Sequence, residues 1–199
     1  MRITVLSCYW ADLSVAEDTG DITYSSGRRL CGATSVGVTH NKVNSNVFES
    51  GASIYNKSYI SGGTIDLSTH TLSEVDRASI LHSITVTDEN VDYEVGGDND
   101  TPKRGAFGFA VQEEDVNTGT PLYRCNWYYD TTMAPPDNTY NTSDANGPNT
   151  EPDNVQLNFS RRPTDRKYRR TAVVKSIEEM ENFFKTVQKT AEFVLHPSS

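Results

Sequence analysis

The groups from which an active site or metal centre would be built are four histidines (His40, His70, His82 and His196), three cysteines (Cys8, Cys31 and Cys125) and 27 acidic residues. Their spacing builds neither. The chain has no GxSxG, HExxH, Walker or GxGxxG pattern. The histidines stand far apart, and no Cys or His pair has metal-ligand spacing, so they read as structural or surface groups. Cys125 falls on an apolar strand face and reads as a small buried hydrophobe. Asp137, Asp144 and Asp153 have Asn residues nearby that would suit calcium, but they lack the Dx[DN]x[DN]G spacing. Trp10, Trp127 and the ten tyrosines could stack on a sugar, though alternating aromatics more often build a core or an interface. No cofactor is implied, and an enzyme would need a site of unfamiliar form.

The charge is uneven. Net charge is −9, yet residues 161–170 hold six basic residues and one acid, a local +5, so the remainder carries −9 − 5 = −14. A surface that acidic repels nucleic acid unless the basic segment makes the contact. Arg161, Arg162, Arg166, Lys167, Arg169 and Arg170 therefore read as a basic stripe that pairs with acidic surfaces of neighbouring copies. A solvated, salt-bridging strand edge is the plainer reading.

The 199 residues fit one large domain, with 23% charged and 35% hydrophobic residues. The opening segment lacks a signal-peptide pattern, and no stretch approaches the roughly twenty apolar residues of a membrane helix. An odd number of widely spaced cysteines points to free thiols in a reducing compartment.

Residues 58–84 organise the rest. Ile65 and Leu67 alternate with Thr64, Asp66 and Ser68, the period of a half-buried strand. The period then changes. Ser73 with Asp76, or Thr71 with Glu74, can cap a short helix that places Val75, Ala78 and Leu81 or His82 on one face. Before it, residues 3–11 read as a strand with Ile3, Val5 and Tyr9 on one face and Leu6, Cys8 and Trp10 on the other. A second strand is expected at about 31–40. Residues 41–60 read as a long loop whose Phe48, Ile54, Tyr55 and Tyr59 call for a partner that covers them.

After the helix, Ile84–Val86 reads as a short strand and 88–104 as an acidic loop. Residues 106–112 and 122–130 form a hairpin, with Tyr123, Cys125, Trp127 and Tyr129 on one face. Residues 131–154 read as an exposed insertion rich in Asn, Pro and Asp. Val155, Leu157 and Phe159 mark another strand. From Ser176 the spacing predicts an amphipathic helix capped by Ser176 and Glu179, with Ile177, Met180, Phe183, Phe184 and Val187 as its apolar stripe. The division is therefore a β domain over 1–175 and a C-terminal helix with its tail over 176–199.

Several stretches resemble the major tail protein of long-tailed (siphovirus-type) bacteriophages, the subunit of the tail tube. Tyr9-Trp-Ala-Asp-Leu through Tyr24, Arg28-Arg-Leu-Cys-Gly-Ala33 and Val36-Gly-Val38 are similar to that family's opening hairpin. Ile65-Asp-Leu, Leu72-Ser-Glu-Val-Asp-Arg-Ala and Ile80-Leu-His82 resemble its strand-to-helix segment. Phe107-Gly-Phe109, Tyr123-Arg-Cys-Asn-Trp127 and Val155 to Arg162 resemble its central hairpin and last long strand. The order and spacing of these stretches carry the likeness, over about three quarters of the chain. The insertion at 131–154 and the segment 176–199 depart from it.

The resemblance implies a mainly β fold, an antiparallel β-sandwich or partial barrel of the tail-tube type, with one short flanking helix and a C-terminal amphipathic helix. It implies a non-enzymatic virion protein, assembled in the host cytoplasm, whose principal partner is itself in stacked hexameric rings. The tape measure protein, distal tail protein and tail terminator would be further partners. DNA would pass through an acidic lumen without specific binding, and no membrane is involved. The loop 41–60, with Phe48, Ile54, Tyr55 and Tyr59, would reach a neighbouring subunit or ring. Asp66 and Glu113, on polar strand faces, are candidate lumen acids. The alternative is a carbohydrate- or receptor-binding β-sandwich that uses Trp127 and nearby tyrosines.

Overall fold

Apolar alternation organises the chain into strands in the computed structural model of the protein, which describes residues 2–16, 21–49, 52–70, 72–81, 84–88, 91–95, 101–134 and 152–187. The strands are β1 (Arg2–Val15), β2 (Ile22–Cys31), β3 (Ser35–Glu49), β4 (Ala52–Thr69), β5 (Ile84–Asp88), β6 (Val91–Val95), β7 (Arg104–Glu114), β8 (Pro121–Met133), β9 (Asp153–Ser160) and β10 (Arg169–Val174). Helix α1 (Glu74–Leu81) lies between β4 and β5, and α2 (Ile177–Val187) follows β10. The fold is mainly β. One antiparallel sheet runs β2-β1-β7-β8-β9-β4-β3, with β10 also on β8, and β5 and β6 form a separate hairpin.

Strand β8 turns this sheet into a sandwich. One of its edges pairs with β7. On the other edge, Tyr123–Tyr128 pair with β10, and Asp130–Met133 then pair with β9. A strand that changes partner along one edge belongs to two layers at once, as at the corner of a folded-over sheet. Two cores result. Between the layers, Cys8, Trp10, Phe107, Phe109 and Tyr128 meet Ile65, Leu67, Val155, Leu157 and Phe159, with Ile80 and Leu81 of α1. On the opposite side of β1, β7 and β8, Tyr9, Ala11, Ala106, Cys125 and Trp127 lie under Met180, Phe184 and Val187 of α2. Those three strands are thus covered on both faces. Gly108 makes the seat for α2, because a Cβ there would approach Phe184 to 2.8 Å and overlap the Trp127 ring.

The alternation of β9 is plain: Val155, Leu157 and Phe159 are buried while Asn154, Gln156 and Asn158 are exposed. That of β1 breaks. Its register against β7 shifts between Val5 and Cys8, so Leu6 joins Tyr9 and Ala11 rather than Cys8 and Trp10. A bulge inserts a residue and transfers the rest of the strand to the other face. The expected second strand at 31–40 divides: Cys31 ends β2, and Ser35 begins β3. The expected acidic loop 88–104 contains β6, paired with β5. The expected insertion at 131–154 is trimmed at both ends. β8 extends to Met133 and β9 begins at Asp153, while 135–151 lie outside the described residues.

Both helices carry the expected caps. The Asp76 N–H donates to Ser73 Oγ at 3.1 Å, and the Glu179 N–H donates to Ser176 Oγ at 3.1 Å. Glu179 closes its box by accepting the Lys175 N–H at 2.8 Å. The faces differ from expectation at one residue each. Val75 is 66% exposed while Ala78, Ile80 and Leu81 are buried, and Ile177 is 54% exposed. Both sit in a first turn, where the helix has not yet met the sheet; His82 lies outside the described residues. Replacing Ser176 with alanine is expected to destabilise the fold by about 1 kcal/mol. Urea unfolding measures it, and an unchanged midpoint would contradict the capping role.

Candidate functional site

The region assigned by sequence to an open loop, 41–60, is the part that the structure changes most. β3 and β4 pair from Ser35↔Ser68 out to Glu49↔Ala52. β9 supports β4 only over Gly62–Thr69. Past that support, residues from about 42 to 60 pair only with each other among the described strands. The result is a two-stranded arm extending about 25 Å at the rise of a β-strand. Phe48, Ile54 and Tyr55 fall on this arm, but their side chains lie outside the described ones. Tyr59 at its base is 40% exposed. The Arg161 guanidinium sits 4.4 Å from the Tyr59 ring centroid, a cation–π contact tying the arm to the basic segment. The sequence does not announce the arm, because Asn, Ser and Lys at 41–46 carry no apolar alternation. Cross-strand pairing supplies its order instead.

The basic segment does not form one stripe. Arg162 is only 3% exposed and belongs to the interior. Its guanidinium lies 3.9 Å from the Tyr129 ring centroid and is held bidentately by Asp165, with Nε to Oδ1 at 3.1 Å and Nη2 to Oδ2. The peptide groups of Arg162 and Lys167 close the turn between them, and Arg166 takes the left-handed conformation at its corner, φ 58°. Burial pushes the Asp165 carboxyl up, but Arg162 and the Lys167 N–H outweigh it and hold the group below its ordinary value. Arg162 is therefore corrected from an inter-subunit contact to a buried brace. Arg170 lies half-buried over Phe183, with its guanidinium 5.5 Å from the ring. Arg166 and Arg169 are exposed, and Arg161 and Lys167 half-exposed.

Asp66 and Glu113 are not brought together. Asp66 is exposed at the centre of the outer β3-β4-β9 face, opposite Gly37 and Gln156, whose Nε2 donates to it at 2.9 Å. Its neighbours there, Ser35, Thr39, Ser68, Asn154 and Asn158, are uncharged. Glu113 lies on β7 and accepts two bonds from Arg124, both at 2.9 Å. The pair carries no net charge, so Glu113 is not the unpaired acid that its sequence position implied.

Trp127 is fully buried between Tyr24 and Phe184, so the indole is not available as a sugar-stacking surface. All three thiols are free and buried. Cys8 and Cys31 face each other across β1 and β2. The hydrogen bond to Cys31 and burial raise the Cys8 thiol far above its ordinary value, and burial pushes Cys125 up to about 12. Native protein is expected to leave all three unreacted with Ellman's reagent until denaturant is added, since only exposed thiolate attacks. Prompt release of chromophore from native protein would contradict this packing. Among the described residues, no three His, Cys, Asp or Glu converge as metal ligands do. Nor is any helix long and apolar enough to cross a membrane.

One feature had no signal in the sequence. A cleft of about 660 Å³ opens beside β3, lined by residues of β1, β3, β7, β8 and β10. Val36 and Val38 of β3 face Arg124, Asn126 and Tyr128 of β8, with Arg169 and Thr171 of β10. These positions come from five separate strands, so only the folded sheet assembles them. Among the described strands, the sheet ends in edges on β2 and β3 and has a further edge on β10, beside the two-stranded arm and this cleft. No protein-family model matches the chain, and no curated protein does.

Proposed function

We propose that the chain is a structural subunit that polymerises, the tail-tube subunit of a long-tailed bacteriophage. The observation that carries this reading is the β3–β4 arm. A two-stranded ribbon without a third strand is marginal in water. An arm of this length, with open backbone edges, is best completed by another chain. The edges of β2, β3 and β10 that no described strand pairs offer further pairing to identical copies, and closed symmetry would bury them. The resemblance of the strand-to-helix and central-hairpin segments supplies the identity of the assembly.

In that assembly the principal partners are other copies in stacked rings. The tape measure protein, the distal tail protein and the tail terminator are further partners. DNA passes through the lumen without specific binding. Asp66, on a face with no basic neighbour in the strand register, is the better lumen candidate of the two acids. Glu113 is neutralised by Arg124 and contributes little.

The test is negative-stain electron microscopy of the purified chain at rising concentration. Hollow tubes of uniform width are expected. Replacing residues 45–57 with Asn-Gly, a two-residue turn joining Asn44 to Ser58, shortens the arm without touching the sandwich. That variant is expected to fold and to form no tubes. A wild-type monomer that never polymerises but binds a glycan would sink the reading in favour of a carbohydrate-binding module.

A further inference from the structure

The assembly reading leaves the cleft beside β3 unused. Its volume of about 660 Å³ lies within the ~300–1,000 Å³ of binding pockets. Its apolar lining comes from Val5, Val36, Val38, Phe109, Val111 and Tyr128. Its polar lining includes His40 and Arg169, with Arg124 already neutralised by Glu113, and no described lining residue is acidic, although the whole chain has net charge −9. Burial, Arg169 and Lys42 hold the His40 imidazole below its ordinary value, which sets the positive charge of Arg169 and Lys42 beside the cleft. Such a cleft suits an apolar side chain accompanied by carboxylates.

The same chain presents that combination elsewhere. The turn between β7 and β8 reads Glu114-Asp115-Val116, and Val116 is 86% exposed, more than any other large apolar side chain described. Isolated exposed valines are common. This one stands on a rigid support. Asp115 Oδ1 accepts the Asn117 N–H at 2.8 Å, the Gly119 N–H donates to the Asp115 carbonyl at 2.8 Å, and Gly119 takes the left-handed φ of 67° that closes the turn. A preformed turn loses little freedom on docking. Val116 does not fill its own cleft, because its side chain is open to solvent.

We propose that the β7–β8 turn of one copy docks in the β3–β10 cleft of a second copy. Val116 enters the apolar lining, and the carboxylates of Glu114 and Asp115 face Arg169 and Lys42. The contact rests on the self-assembly reading and names one of its interfaces. It joins two unlike patches, so every copy carries one turn and one cleft, and the contact can be repeated.

Sedimentation velocity on Val116→Ser, on Arg169→Glu and on their equimolar mixture tests it, with circular dichroism to establish folding. Burying one valine is worth about tenfold or more in affinity. Each variant alone is expected to self-associate about tenfold more weakly than wild type, or less still. The mixture is expected to associate more strongly than either variant alone, because Val116→Ser copies keep a working cleft and Arg169→Glu copies a working turn. Variants that assemble like wild type, or a mixture no more associated than its components, would overturn this contact alone. A wild-type chain that stays monomeric at every concentration would overturn the self-assembly reading along with it. Should Arg169→Glu fail to fold, Lys42→Glu on the exposed rim takes its place.

Discussion

Phe184→Ala is expected to destabilise the protein by about 4 kcal/mol, within the range for deleting a buried phenylalanine. Phe184 is 1% exposed. Its ring stacks on Tyr9 at 3.9 Å between centroids and meets Trp127 at 6.3 Å. It is the central contact of α2, with Met180 one turn before it and Val187 one turn after. The void left by alanine could not be filled by its neighbours, since Tyr9 and Trp127 belong to strands fixed on both edges. Detachment of α2 would bring Trp127 into water. The expected signature is therefore a lowered urea midpoint together with a red shift of tryptophan emission in the native baseline. A loss below about 1 kcal/mol with unchanged emission would mean that α2 does not cover this face. Phe183, half-buried beside it, serves as the control and should cost markedly less when replaced with alanine.

Legibility in the sequence obeys a physical rule. Strands buried on one face with a regular pleat declare themselves, as Val155, Leu157 and Phe159 do against Asn154, Gln156 and Asn158. The hairpin of β7 and β8 and the two helix caps are local in the same sense. The misses are nonlocal. β2 contains Ser25-Ser-Gly-Arg-Arg29, which has no apolar period, and its order comes from pairing with β1. The arm at 42–60 is ordered by its own partner strand. Leu6 changes sides because of a bulge that no single-strand pattern encodes.

The candidate site is less legible than the fold, for a related reason. The six basic residues at 161–170 are adjacent in sequence, and adjacency suggests a common face. A turn at 162–167 separates them and sends Arg162 inward. Glu113 looks like an unpaired acid in the sequence because its cation, Arg124, is eleven residues away on the next strand. The cleft draws on five strands and has no sequence signature at all. Charge is read well from sequence as a sum, and poorly as a position.

Asp165→Ala is expected to cost about 3 kcal/mol, although Asp165 itself is exposed. The cost falls on Arg162, which is 3% exposed and would lose its bidentate carboxylate while remaining inside. Removing one partner of a buried pair is strongly destabilising because the other charge stays desolvated. The Tyr129 ring, 3.9 Å away, and the Tyr24 phenol that also bonds Arg162 compensate only in part. Two further results are expected if this is the cause. First, Arg162→Met combined with Asp165→Ala should recover most of the loss, since an apolar side chain of similar length needs no counter-charge. A double-mutant cycle measures the coupling, and additive losses would refute it. Second, the Asp165 carboxyl lies below its ordinary value of 3.8 in the folded state. A carboxyl that titrates lower when folded stabilises the protein fully above that value, and the contribution fades as pH falls through the folded one. Wild type should therefore lose stability below about pH 4 more steeply than the Met–Ala double variant. Parallel acid melts would show that Arg162 does not depend on Asp165 and that the turn at 162–167 is held by its peptide groups.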